Sequence, residues 1–370
     1  MTQTESPTFT ADQIAAGIDT DVLDEVIHEV QLDSKVLFTW DYEQSRAALK
    51  KLYEKAKTSQ WNANDLPWET EVDPEKIAAE SAVQNQRFQI MSTHPDSPLK
   101  SWGPKEWQAA SIEMQTGILS QFLHGEQGAL MCTGLITATV PWIDAKYYAA
   151  TQVMDEARHV EVFARYIQEK TSGTYPINPN LGGLLDDIIA DGRWDITYLG
   201  MQIMVEGLAL AAFGFMHMLT TEPLLKQLLR YVMSDEARHV AFGVLSLKEV
   251  YEGLDNNEIR ERQEFAYEAA VLLQRRFMFT DVWERLGADP KKVAAFMDTH
   301  ENPGQEAFQA MLFSKIVPNA KKLGLLDAGD GWLRTKFTEL GIIQFEDWVD
   351  TSEEYSSLDA VAADGAPTAG

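Results

Sequence analysis

The chain has 370 residues with 57 acidic and 31 basic side chains, which give a formal net charge of −26. This acidic excess argues against a nucleic-acid partner, because phosphate binding draws on clustered Lys and Arg. The only cysteine is Cys132, which excludes an internal disulfide and a cysteine-rich zinc module. Such sparing use of cysteine is typical of a reducing compartment, and we expect a cytoplasmic protein.

The two ends of the chain differ in composition from the part between them. Residues 1–10 and 351–370 are rich in small and polar side chains, and we predict that both ends are disordered. The first residues contain no basic segment followed by an apolar run, which argues against a secretory signal. Residues 11–350 are predicted to form a single all-α domain, because long Ala-, Leu- and Glu-rich segments alternate with short Pro/Gly/Asp clusters.

Four long helices are predicted in the middle of the chain, and their ends are marked by helix-start and helix-stop residues. Pro104 and Pro223 stand near the first turn of the first and the fourth of these helices. Asp255 and Glu258 form a capping-box pattern that predicts a further helix after them. The predicted ranges are 105–139, 145–170, 193–219 and 222–252.

Two apolar stretches, 128–143 and 201–219, come nearest to a membrane span. The first contains Pro141, and the second contains Glu206 and His217. Both lie at or below the length of about 20 apolar residues that a spanning helix requires. We therefore predict buried core helices and no membrane span, and the acids within these segments become candidates for a functional site.

A duplicated motif marks that site. The hexapeptide Asp-Glu-Ala-Arg-His-Val occupies 155–160 and recurs 80 residues later at 235–240. The same offset relates Glu126 to Glu206, and each of these acids lies in an apolar segment. Each half therefore contains a buried Glu on one helix and a Glu-x-x-His on the next. Such a match at one fixed period indicates a duplicated helical pair.

The spacing of these residues predicts a metal site. Glu and His at i and i+3 lie on one face of a helix and can reach one ion. Four carboxylates that converge in an apolar core require compensating charge, which two divalent ions supply. Oxygen-rich ligation with one imidazole per ion favours iron or manganese over zinc or copper. The predicted metal ligands, which are also the predicted catalytic residues, are Glu126, Glu156, His159, Glu206, Glu236 and His239.

With this motif, residues 105–252 resemble the metal-binding core of the ferritin-like superfamily. The resemblance is to carboxylate-bridged di-iron oxidases and oxygenases, such as ribonucleotide reductase small subunits, acyl-carrier-protein desaturases and bacterial di-iron monooxygenases. It implies a ferritin-like four-helix bundle with additional flanking helices. It also implies two Fe ions, with an Mn/Fe pair as the alternative, and reaction with dioxygen.

The resemblance assigns further roles to the duplicated motif. The Asp before each chelating Glu is expected to orient the histidine of the other half, so that Asp235 pairs with His159 and Asp155 with His239. Two arginines in the same motif, Arg158 and Arg238, could neutralise these acids.

The implied activity is that of an oxygenase or oxidase acting on a small organic substrate that is hydrophobic or aromatic, or on a fatty acyl chain. Hydroxylation, desaturation and N-oxygenation all remain open. Small residues are expected to leave room for the substrate beside Glu206, namely Gly125, Gly128, Ala129, Gly207, Ala209 and Ala211. No Gly-x-Gly-x-x-Gly motif or cysteine set provides an electron donor within the chain, so an external reductase or ferredoxin is implied. Because the superfamily is often dimeric, we expect a homodimer.

The sequence leaves two alternative functions open. The first is a radical-generating protein similar to the ribonucleotide reductase small subunit. In those subunits a tyrosine usually stands four residues after the first histidine ligand, and here that position is Phe163. Some radical-generating subunits carry Phe there and use a mixed metal pair, so this alternative stays open. The second is a ferroxidase or iron-storage protein, although storage proteins are typically much shorter than this chain.

Overall fold

The computed structural model describes residues 28–32, 34–80, 82–276, 279–300 and 311–352. Within these ranges the regular structure is helical and no β-strand is present, which confirms the predicted all-α class. Residues 1–10 and 353–370, which were predicted to be disordered, lie outside the described part. Thr351 is described and buried, and its backbone N–H donates to Asn319 Oδ1 at 3.0 Å. The chain is therefore still packed one residue into the predicted tail.

The helices of the described ranges are numbered in chain order. They are α1 (Ala47–Thr58), α2 (Pro74–Glu80), α3 (Ala82–Thr93), α4 (Pro104–Thr139), α5 (Ile143–Lys170), α6 (Pro179–Ala190), α7 (Trp194–Leu219), α8 (Pro223–Tyr251), α9 (Asn256–Arg275), α10 (Thr280–Arg285), α11 (Pro290–Thr299), α12 (Ile316–Lys322) and α13 (Trp332–Glu339).

Four long helices form the centre of the fold. Helix α4 packs against α5, α5 against α8, α8 against α7, and α7 against α4, so the four surround a common core. These are the four helices predicted from the sequence, and each end lies within two residues of its predicted position. Helix α1 lies over α5 and α8, whereas α9 packs against α6 and α7. These outer helices cover the bundle.

The predicted helix starts have a local cause in side-chain capping. The Glu222 carboxylate accepts the N–H of Leu224 at 2.7 Å and so satisfies a donor in the first turn of α8. Asp255 accepts the N–H of Glu258 at 3.0 Å, while the Glu258 carboxylate accepts the N–H of Asp255 at 2.9 Å. This reciprocal pair is the capping box that the sequence predicts, and it begins α9.

Helix α7 departs from the regular helix that the sequence predicts. Its segment Leu199–Val205 is π-helical, and α-helical geometry resumes at Glu206. A π-helical segment widens the helix and rotates the side chains that follow it, and such segments are frequent at functional sites. Within it, Gly200 lets α6 approach closely, because a Cβ atom there would lie 2.4 Å from Ile188 Cγ1.

Helix α7 is also the only helix among the described residues with the length and composition of a membrane span. Its most apolar window has a mean hydropathy of 1.6, but 78% of that window is buried inside the protein. Helices α4, α8 and α9 pack against it. Its apolar character is therefore that of the central helix of a packed core.

Candidate metal centre

The six predicted ligands converge at the centre of the bundle. Helix α4 provides one glutamate and α7 provides another, while α5 and α8 each provide a glutamate and a histidine. All six side chains are buried. They are Glu126 from α4, Glu156 and His159 from α5, Glu206 from α7, and Glu236 and His239 from α8.

The cluster consists of two adjacent groups that share one carboxylate. Ligand atoms of Glu126, Glu156, His159 and Glu236 all lie within 4.8 Å of one another. Those of Glu156, Glu206 and His239 form a second group within the same limit. Nδ1 of His159 lies 3.2 Å from Glu126 Oε2, and Nδ1 of His239 lies 3.0 Å from Glu156 Oε1. This arrangement could bind two metal ions.

The donor atoms of the cluster fit such ions. Glu206 Oε2 and Glu236 Oε2 are buried and have no hydrogen-bond partner among the residues of the described part. An unsatisfied buried carboxylate oxygen costs about 1–3 kcal/mol or more. A metal ion removes this cost by accepting the lone pairs. The oxygen-rich set with two imidazoles is of the kind that iron and manganese prefer.

The electrostatics of the cluster also favour cations. Burial, together with nearby carboxylates, raises the pKa of Glu126 and of Glu206 well above the ordinary value. Burial alone would lower the pKa of both histidines, but Glu126 raises that of His159 and Glu156 raises that of His239, each to well above its usual value. Without metal the cluster therefore retains protons, which metal ions would displace.

Each histidine is paired with an aspartate from the other half of the duplication. Nε2 of His159 lies 3.2 Å from Asp235 Oδ2, and Nε2 of His239 lies 3.3 Å from Asp155 Oδ2. These are the pairings that the resemblance implies. An N–H donated from Nε2 leaves the lone pair on Nδ1, which faces the carboxylates.

The two arginines of the motif link these aspartates. Nη2 of Arg158 donates to Asp155 Oδ1 at 2.5 Å and to Asp235 Oδ2 at 3.1 Å. Arg238 donates to Asp235 Oδ1 and lies 3.5 Å from Asp155 Oδ2. All four side chains are buried, so the charges of two acids and two arginines offset one another inside the protein.

Two residues that the sequence analysis missed extend this network. Trp61 donates its indole N–H to Asp235 Oδ2 at 2.8 Å. Gln60 accepts a hydrogen bond from Arg158 at 2.8 Å and donates one to Asp155 at 3.0 Å. Both follow α1, which lies over α5 and α8. They form no motif with the ligands, so no sequence pattern could have identified them.

Gln152 is a third missed residue, and it contacts the ligands themselves. It precedes Glu156 by four residues and therefore lies on the same face of α5. Its side-chain amide donates to Glu156 Oε1 at 3.0 Å and to Glu206 Oε1 at 2.9 Å. A buried polar residue one turn before a ligand is a signal that the sequence does contain.

A small cavity adjoins the cluster. Its volume is about 20 Å³, which is enough for one water-sized molecule. The carboxylates of Glu126, Glu206 and Glu236 stand in a wall that is otherwise mostly apolar. The other lining residues are Gln121, Phe122, Gly125, Ala129, Val205, Ala209, Phe213 and Arg276.

The small residues predicted beside the metals divide into two groups. Gly125, Ala129 and Ala209 line the cavity, as expected, whereas Gly128, Gly207 and Ala211 do not. A Cβ atom on Gly128 would lie 2.5 Å from a methyl carbon of Leu185 in α6. The glycine at this position serves the close packing of two helices and does not enlarge the cavity.

Arg276 is an unexpected member of the cavity wall. It caps the C-terminal end of α9 and is only 4% exposed. Burial lowers the pKa of its guanidinium to about 10, so the group is still cationic at neutral pH. An arginine at a helix end has no sequence signature that links it to the duplicated motif.

Comparison with known proteins identifies the fold. No protein-family model and no curated protein matches the chain. Among solved structures, a variant of an R2-like ligand-binding oxidase with an anaerobically reconstituted Mn/Fe cofactor is 18% identical, covers 76% of this chain and 94% of its own, and has a TM-score of 0.51. A second variant with an aerobically reconstituted Mn/Fe cofactor has the same identity and coverage and a TM-score of 0.50. The chain thus has the ferritin-like bundle fold that the resemblance implies.

Proposed function

We propose that this protein is a di-metal oxidoreductase, an oxidase or oxygenase that activates dioxygen at two metal ions. The observation that carries the proposal is the buried cluster of four glutamates and two histidines, in which carboxylate oxygens lack hydrogen-bond partners among the described residues. The Mn/Fe cofactors of the similarly folded oxidases support an Mn/Fe pair as the alternative to two Fe ions.

The six ligands would form two sets, one for each ion. Glu126, Glu156, His159 and Glu236 would hold one ion, and Glu156, Glu206 and His239 the other. When bound, a pair of redox-active ions supplies electrons to dioxygen. Hydrogen bonds that Nε2 of each histidine donates to an aspartate hold the rings in place, and the Gln152 amide holds the two carboxylates that it contacts.

The cavity supports a substrate with two chemical parts. Phe122, Val205 and Phe213 present apolar surface, which suits a hydrophobic or aromatic group. Arg276 adds a cationic group to the same wall, which suits a carboxylate or another anionic group. The present volume admits a molecule the size of dioxygen, so an organic substrate requires side chains of this wall to move.

The radical-generating alternative is less well supported. Phe163 is buried and packs against Phe122 and Phe213, with ring centroids 5.9 and 5.6 Å away. Its ring has no phenolic hydroxyl and cannot form a tyrosyl radical at this position. We therefore favour oxidation of a small organic substrate, with reducing equivalents from an external reductase or ferredoxin.

Metal content and dioxygen consumption test the proposal. The metal-free protein is reloaded anaerobically with Fe(II), or with Mn(II) and Fe(II), and then mixed with dioxygen. We expect two ions per chain and rapid dioxygen consumption in the wild type, and loss of consumption in Glu206→Ala. Glu161→Ala is the matched control, because Glu161 lies on α5 but is exposed. A protein that binds no stoichiometric metal, or that leaves dioxygen unconsumed, would contradict the proposal.

The same preparation separates the alternatives. A persistent organic radical in the electron paramagnetic resonance spectrum would support the radical-generating protein. Iron loading of hundreds of ions per particle would support storage.

A ligand comparison tests the anionic part of the substrate. Octanoate and benzoate are compared with octanamide and benzamide by the shift in melting temperature of the metal-loaded protein. We expect the carboxylates to raise the melting temperature more than the amides, and Arg276→Gln to abolish the difference, while Arg276→Lys retains part of it. Equal shifts for acids and amides would remove Arg276 from the recognition of substrate without affecting the di-metal assignment.

A further inference from the structure

A second group of metal-ligating side chains lies apart from the buried cluster. His94 directly follows α3, Asp96 lies in the turn after it, and His300 directly follows α11. The fold brings them together from distant parts of the chain, and their ligand atoms all lie within 4.8 Å of one another. The two histidines are half-buried and Asp96 is exposed, so an ion could enter from solvent.

The two imidazole rings are held in place by a common neighbour. The ring centroids of His94 and His300 are 4.4 Å apart. Phe296 stacks on His300 at 4.2 Å and also lies 5.5 Å from His94. Because the phenyl ring restricts both imidazoles, little side-chain entropy remains to be lost when an ion draws them together.

The hydrogen bonds of His300 prepare it as a ligand. Its Nδ1 lies 3.0 Å from the Phe296 carbonyl oxygen and 2.9 Å from the Thr299 hydroxyl oxygen. That hydroxyl donates its own hydrogen to the Ala295 carbonyl at 2.9 Å. Both neighbours of Nδ1 therefore act as acceptors, which places the proton on Nδ1 and the lone pair on Nε2. Histidines that bind metals are usually fixed in this way through the other ring nitrogen.

To bind a metal ion through Nδ1, His94 would have to give up one hydrogen bond. Its Nδ1 accepts the backbone N–H of Asp96 at 3.2 Å, a long hydrogen bond. A metal ion at this nitrogen would replace the amide as partner of the lone pair. The backbone N–H of Asp96 is near the surface and can then bond to water.

The surrounding charges favour a cation. Two helices, α3 and α11, end at this point, and the C-terminal end of a helix carries partial negative charge. The Asp96 carboxylate adds a full negative charge. Two imidazole nitrogens and one carboxylate oxygen, with water in the remaining position, form a ligand set typical of Zn²⁺, Cu²⁺ and Ni²⁺.

We propose that His94, Asp96 and His300 form a mononuclear transition-metal site that fastens the end of α3 to the end of α11. It differs from the buried cluster in its ligands, since histidine predominates here and carboxylate predominates there. It does not depend on the proposed oxidase function. An ion bound here stabilises the folded chain, because it links two helix ends that are distant in the sequence.

Zinc binding to the iron-loaded protein tests this site. Equilibrium dialysis against ZnCl₂ should find one Zn²⁺ per chain in addition to the ions of the buried cluster. His94→Ala and His300→Ala should each weaken this binding by about tenfold or more, since each removes a ligand. The additional ion should persist in Glu206→Ala, which alters only the buried cluster.

His28→Ala is the matched control, because His28 also pairs with an aspartate at the surface, Asp186, at 2.8 Å. It should leave the additional ion in place. Zn²⁺ should raise the melting temperature of the wild type and of His28→Ala, and not that of His300→Ala. Cu²⁺ in the same site should give an electron paramagnetic resonance spectrum with coupling to two nitrogens.

Three results would overturn the proposal. One is the absence of an additional Zn²⁺ in the wild type, and another is its retention in both histidine variants. The third is equal loss in His28→Ala. Melting in chelator shows whether each variant is folded. If an alanine variant is not, His94→Gln and His300→Gln, which keep most of the side-chain volume, give the decisive comparison.

Discussion

Replacing Asp235 by Asn tests two roles of this side chain, which are to balance the charge of buried arginines and to orient His159. The carboxylate accepts hydrogen bonds from Trp61 at 2.8 Å and Arg158 at 3.1 Å, and from Arg238, and it lies 3.2 Å from Nε2 of His159. Asn keeps the size and one acceptor oxygen but loses the charge, so that two buried arginines share one fewer acid. Removing one partner of a buried ion pair costs about 3–5 kcal/mol, and we expect a loss of about 3 kcal/mol in the free energy of unfolding because one acceptor remains.

The same substitution should weaken metal binding. Without the negative charge, the asparagine would be a weaker acceptor for the His159 ring N–H that the carboxylate orients, and such changes reduce metal affinity by about 10- to 100-fold. Chemical denaturation of the metal-free protein gives the stability, and competition with a chromophoric chelator gives the affinity. Asp195→Asn is the matched control, because Asp195 accepts a hydrogen bond from Arg262 at 2.9 Å in another buried ion pair.

The control should lose a similar amount of stability with metal affinity unchanged. If Asp235→Asn and Asp195→Asn alter metal affinity to the same extent, the effect arises from loosened packing, and the orienting role of Asp235 is refuted.

Three further predictions concern protons, packing and capping. Metal ions must displace protons from the two glutamates of raised pKa and from both histidines of the cluster. Metal affinity should therefore rise from about pH 6 to about pH 8, and an indicator in weak buffer should detect the released protons. A metal affinity that does not depend on pH would contradict this prediction. Gly200→Ala should lower the free energy of unfolding by about 1–3 kcal/mol, because the added Cβ would lie 2.4 Å from Ile188. If the variant is as stable as the wild type, α6 can move aside and the prediction is wrong. Asp255→Ala should lower the free energy of unfolding by about 1 kcal/mol, because it removes the cap of α9, and it should leave the metal content unchanged. Chemical denaturation measures this loss, and unchanged stability would show that water replaces the cap.

The parts of the site that could be predicted are those governed by helical periodicity. Glu156 and His159 lie three residues apart on one helix, so their common face follows from geometry alone. The offset of 80 residues then transfers the same argument to Glu236 and His239. Helix ends were predictable for a related reason, since capping depends on residues that are close in the chain.

What could not be predicted depends on contacts between distant segments. Trp61 reaches Asp235 because the chain after α1 folds over the bundle, and nothing near Trp61 in the sequence indicates this. Arg276 enters the cavity wall through the packing of α9. Gly128 illustrates the opposite error, because a small residue beside a ligand can serve helix packing as well as it can serve a substrate.

The duplication that produced the cluster did not leave it symmetric. Gln152 donates to Glu156 and Glu206, but the residue 80 positions later is Val232, which has no donor. The π-helical segment before Glu206 has no counterpart before Glu126, where α4 is a continuous α-helix. An exact twofold axis would make the two ion positions interchangeable, and ions of different kinds could then load only at random. The inequality around Glu206 makes the two positions distinct, so that two different ions, if both were bound, would have different preferred places.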